Sequence, residues 1–157
     1  MNGHLATYLN DHLAGAVAGT EIAKHLEEHA AAAEIRTTMA RVRRDIDEDE
    51  AELRSLADRL GIEQSSIRKA GAWIAEKFAE LKLTIDDEAN GEFRTYEALE
   101  ALSLGIEGKR CLWLTLQSVK DPDLIDLDLK RLQTRAEDQR KRVEELRLQA
   151  ANLAFSK

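Results

Sequence analysis

From Thr20 to Leu60 the chain carries neither glycine nor proline, and this run constrains the fold more than any other feature. Residues of good helix propensity continue as helix when nothing breaks them. Read as one helix, Leu5 to Leu60 would extend about 84 Å at ~1.5 Å per residue. A domain of 157 residues cannot pack such a rod around one core. The segment must fold back, and a tight reversal is expected between Ala30 and Glu34, although no turn residue marks it. The whole chain holds 8 glycines and 1 proline, and no stretch sustains the period-two alternation of a strand. The expected class is all-α, in a single helical-bundle domain over residues 1–157.

Further breaks divide the remainder. Gly61, in "LGIEQSS", suits the position just past a helix end, and Asn90-Gly91 marks a turn. The segment "KDPDLID", residues 120–126, carries a helix start signal. Asp121 can cap a helix with Pro122 and Asp123 in its first turn, running to about Asn152. Between these breaks lie a shorter helix over 66–83 and a longer one over 93–119. The order is helical hairpin, crossover containing the shorter helix, second hairpin, which is the order of a ferritin-like four-helix bundle. The stretches "LNDHLAGAVAGTEIAKHL", "AGAWIAEKF" and "LSLGIEGKR" resemble those of uncharacterised bacterial ferritin-like four-helix-bundle proteins. The resemblance implies that fold over most of the chain and implies no particular reaction.

The formal net charge is -7, which disfavours a nucleic-acid partner unless the bases form one face. Bases gather at Arg41–Arg44 and in the run Gln139–Arg142. Acids follow each run within a few residues, as expected of solvated faces with i,i+4 pairs. The single cysteine, Cys111, excludes an intrachain disulfide and fits a reducing cytoplasm. There is no basic leader with an apolar run and no window of ~20 apolar residues. A cytoplasmic protein without a membrane segment is expected.

Winding each helix at 100° per residue identifies the polar groups that face inward. The first helix places Leu5, Tyr8, His12, Gly15, Gly19, Ile22 and Leu26 on one face. The second places Ile35, Met39, Val42, Ile46, Asp49, Leu53, Leu56 and Leu60 together, with Asp49 the one acid among them. A reversal near residue 31 brings His12 and Asp49 within about one helical turn of each other. Arg110 winds onto the face of Leu99, Ile106 and Trp113, and Gln139 lies between Ala136 and Val143. His12, Asp49, Arg110 and Gln139 are therefore the expected buried polar residues.

The di-iron pattern of ferritin-like bundles needs Glu-x-x-His on two helices, and the chain has none. The nearest counterpart is Asp49-x-x-Glu52, with Glu52 wound outward and Gln139 standing where an acid is needed. His12 and Asp49 leave two readings open. One is a divalent metal held with a third ligand. The other is a buried hydrogen-bonded pair in which Asp49 orients His12 and raises its pKa. His25 and His29, four apart, fit the flank of a helix end. No phosphate-cradling glycine loop, Ser-His-acid set or Cys-x-x-Cys pair is present.

These features point to a non-catalytic bundle with a binding or structural role, needing no cofactor and able to self-associate as a homodimer. The alternatives are a metal protein built on His12 and Asp49, and an adaptor that captures partner helices. The 93–119 helix is apolar on two sides, with Leu104, Cys111 and Leu112 behind the main stripe. Cover for that second side is expected from Trp73, Ile74, Phe78 and Leu81, and any surplus apolar surface suits a dimer or partner interface.

Overall fold

A computed structural model describes residues 3–63, 76, 91–119, 121–124 and 126–156. Four long helices account for nearly all of them: α1 (Gly3–His29), α2 (Ala33–Arg59), α3 (Gly91–Ser118) and α4 (Leu129–Phe155). The shorter helix expected over 66–83 lies outside the described residues apart from Glu76, and so does the cover expected from its apolar side chains. No helix among the described residues is long and apolar enough to cross a membrane.

The reversal between α1 and α2 falls where expected, and a side chain makes it possible without glycine or proline. Arg36 Nη1 donates to the carbonyls of Ala30 and Ala31 at 2.6 and 2.7 Å. These are among the carbonyls a helix end leaves unpaired. Ala30 is itself buried, so the turn is anchored from inside and outside. At the far end of α2, Gly61 adopts φ +64°. The Ile62 N–H then reaches back to the Ala57 carbonyl at 3.0 Å, closing the helix in the left-handed manner that favours glycine.

The start of the last helix differs from the expectation. Pro122–Leu124 form only a 3₁₀ turn, and α4 begins at Leu129, eight residues after Asp121, capped by Asp128, whose side chain accepts from the Arg131 N–H at 3.0 Å. Both aspartates carry a cap signature. The second prevails because Leu124 and Leu127 are buried, and a helix begun at Asp121 would dictate a different path for them. Leu127 just before the cap and Leu132 in the next turn are both buried, the pattern of a hydrophobic staple.

Contacts between helices fix their directions. Tyr8 of α1 donates to Thr115 of α3, whereas Gly19 lies beside Leu102, so α1 and α3 are antiparallel. Asp45 pairs with Arg142 and Glu52 with Arg131, so α2 and α4 are antiparallel too. Thr20 meets Asp47 and Glu27 meets Arg43 in the first hairpin. Ser103 meets Glu144 and Gln117 meets Gln133 in the second. The bundle is up-down-down-up: α2 and α3 run parallel on a diagonal, so α2 ends at the opposite end of the bundle from the start of α3.

One core runs through all four helices from Leu9 to Ala150. The buried faces of α2 and α4 match the expected stripes down to Asp49 and Gln139. That of α1 is rotated. Leu9, Leu13, Ile22, Ala23 and Leu26 are buried, His12 and Gly19 are half-buried, and Gly15 is exposed. Packing against both α2 and α3 requires a broader face than one stripe, and the small residues fall at its margin.

Glu144 on the α3–α4 seam gives a pH signature. Hydrogen bonds from Arg147 and then from the buried Ser103 hold its carboxyl down to about 2 from 4.5. A depressed folded-state value stabilises the protein above the unfolded value and loses that contribution as pH falls through the folded one. The melting temperature of the native chain is therefore expected to exceed that of Glu144→Gln at pH 6. The gap should shrink below pH 4.5 and close near pH 2.

Candidate functional site

Halfway along the bundle, three helices deliver charge to one point. Asp49 of α2 is 2% exposed, and its carboxylate meets Arg135 and Gln139 from α4 and Lys109 from α3. Arg135 donates to Oδ1 from Nε at 2.7 Å and again from Nη2. Lys109 donates to Oδ2 at 2.5 Å, and the Gln139 amide donates to the same oxygen at 3.0 Å. Gln139, fully buried, turns its carbonyl oxygen to Lys109. Arg135 extends outward to Glu48 at 2.6 Å. Two cations and two carboxylates make the cluster neutral as a whole.

Such a cluster is costly to bury and is tolerated because each charge is answered. One donor is not. An ammonium has three N–H groups, and Lys109 places two, on Asp49 and on Gln139. No acceptor takes the third among the described residues. Burial lowers the Lys109 pKa, with Asp49 opposing the shift.

Arg110, expected inside, lies at the surface against Glu107 at 2.8 Å. Lys109 takes the inward place because it continues the buried series Leu102, Ile106, Trp113, Leu116 at spacings of three and four. The signal was in that series, and the long stem of lysine can follow an apolar wall while its head finds a carboxylate.

His12 and Asp49 face one pocket, as the winding predicts, but they do not pair. The His12 ring stands edge-on to Tyr8, with centroids 4.6 Å apart, and makes no hydrogen bond among the described residues. Burial lowers its pKa, with nearby Asp11 opposing. The raised value expected of an Asp49 partner is thus corrected: Arg135, Lys109 and Gln139 already occupy that carboxylate. Among the described residues, no group of three or more His, Cys, Asp or Glu is placed to hold a metal ion.

The pocket they share has a volume of about 220 Å³. Its walls are apolar, chiefly Ile22, Ile46, Leu53, Leu102, Ile106 and Leu112, with Lys109, Asp49 and Trp113 deeper in. The mouth lies between α1 and α3, where Gly15, Ala101 and Gly105 are exposed. The small side chains there leave the gap between the two helices unfilled. Trp113 is completely buried, and its indole Nε1 has no hydrogen-bond partner among the described residues. Nothing in the sequence marked this pocket beyond the glycines and alanines that open it.

Comparison with family models, with curated proteins and with solved structures finds no match to the chain. The reading of the site therefore rests on its geometry.

Proposed function

We propose that the chain is a ferritin-like helical bundle that binds a small, largely apolar molecule in the pocket between α1 and α3 and does not transform it. The ferritin-like part draws on the up-down-down-up directions of the helices, which leave the end of α2 and the start of α3 at opposite ends of the bundle. The binding part is carried by one observation, a preformed apolar pocket of about 220 Å³ with a few convergent polar groups. An apolar cavity of ~150 Å³ in another protein suffices for benzene. The polar wall supports binding without reaction: Asp49 is held by cations, and among the described residues no nucleophile hydrogen-bonds His12.

Ethylbenzene is the test ligand, titrated by calorimetry into the native chain and into Gly19→Leu. A Cβ at Gly19 meets Ile46 and Leu102, both pocket residues, at 3.7 and 3.9 Å. Those are ordinary contacts, so a leucine extends into the cavity without a clash at its root. The native chain is expected to bind one equivalent, and Gly19→Leu to fold with its binding at least tenfold weaker. Equal binding by both proteins, or none by the native chain, would refute the reading.

Self-association is a second reading, favoured by exposed Leu148, Leu153 and Phe155 on the outer part of α4, with Phe155 stacked edge-on to Phe93 and Tyr96. Mass measured across a concentration series tests it.

A further inference from the structure

We infer that the pocket's ligand is an uncharged molecule carrying one acceptor oxygen on an apolar body, such as an aryl ketone, ester or amide. The inference rests on the binding reading above and adds the chemical class. Three observations narrow it. First, a completely buried indole N–H at Trp113 has no partner, and native proteins leave few such donors unanswered. Second, the Lys109 ammonium has a third N–H to place. Both residues line the same pocket, and both can only donate, whereas the half-buried His12 beside them can donate or accept. A ligand that answers them brings an acceptor.

Charge gives the third observation. Asp49, Glu48, Lys109 and Arg135 balance without any ligand. An anion must displace Asp49 from Lys109 or leave the cluster negative in an apolar surround. A cation finds Asp49 already enclosed by two cations. Either ion loses its hydration with no counter-charge to replace it. A neutral molecule disturbs none of this. Apart from His12 and Glu50, whose carboxylate is paired with Arg54, the rest of the wall, from Ile22 to Leu112, offers dispersion and burial, so the body of the ligand is largely hydrocarbon.

Four probes with similar bodies separate the terms: ethylbenzene, acetophenone, benzoate and benzylamine. Calorimetry gives affinities for the native chain and for Trp113→Phe. The indole N–H signal of Trp113, assigned as the one missing from Trp113→Phe, reports the contact by NMR in the native chain. Acetophenone is expected to bind about fivefold more tightly than ethylbenzene, the worth of one hydrogen bond, with benzoate and benzylamine weaker than both. It should move the Trp113 N–H signal downfield, whereas ethylbenzene should not. In Trp113→Phe the preference for acetophenone over ethylbenzene should disappear, whatever change in affinity the two ligands share.

Benzoate or benzylamine binding most tightly would overturn the neutral class. Equal affinity for acetophenone and ethylbenzene would overturn the acceptor and leave the binding reading standing. A preference that survives Trp113→Phe, with the indole signal unmoved, would overturn Trp113 as the donor. If neither ethylbenzene nor acetophenone binds the native chain, the binding reading itself falls.

Discussion

Asp49→Leu is expected to lower the unfolding free energy by about 3–5 kcal/mol, the range for removing one partner from a buried ion cluster. The loss comes less from the missing contacts than from what remains. Lys109, with its side chain 13% exposed, loses the carboxylate that holds it charged against burial, and Arg135 loses its inward anchor. Gln139, fully buried, is left with an amide N–H unanswered. Lys109→Met alone should cost less, because Asp49 retains Arg135 and Gln139. Asp49→Leu with Lys109→Met together should recover most of the deficit, since Arg135 can turn wholly to Glu48 near the surface. Urea unfolding of the three variants forms a double-mutant cycle. A cost below about 1 kcal/mol for Asp49→Leu would mean that water already reaches the cluster, and the charge argument for a neutral ligand would weaken with it.

The cluster shows how a helical sequence can be read and where the reading slips. The α2 face was legible because Ile35, Met39, Val42, Ile46, Leu53 and Leu56 recur at helical spacing amid charged residues. Asp49 stood out as the one polar interruption. The α4 face was legible for the same reason, and Gln139 with it. On α1, alanine and glycine supply most of the apolar positions, and small residues are compatible with core and margin alike, so the stripe came out rotated. On α3, hydrophobicity identifies Leu102, Ile106 and Trp113 but is blind to Lys109, since a charged head is scored as solvent-facing wherever its stem lies. The choice of Arg110 over Lys109 is a slip of one residue, about 100° of winding. The reversal held by Arg36 had no turn signature because the group that closes it lies inside the following helix. The pocket is a property of α1, α2 and α3 together, and no single segment encodes it.

Trp113→Ala carries the second large effect, an expected loss of about 3–5 kcal/mol on urea unfolding. The indole is completely buried and borders a pocket that its neighbours have not collapsed to fill. The helices flanking the pocket are therefore poorly placed to close over a further void, and the cost of a core truncation grows with the cavity left behind. Trp113→Phe tests the other component. It removes part of the ring and also a buried N–H with no acceptor, a group whose desolvation costs about 1–3 kcal/mol when unanswered. The two changes oppose each other, so a net loss below about 1.5 kcal/mol is expected. A small cost for Trp113→Ala would show that the site collapses readily, in which case the pocket forms only around its occupant. A large cost for Trp113→Ala beside a small one for Trp113→Phe has a different meaning: the protein gives up stability to hold an unanswered indole donor in the wall of a cavity, a cost that a ligand's oxygen would offset.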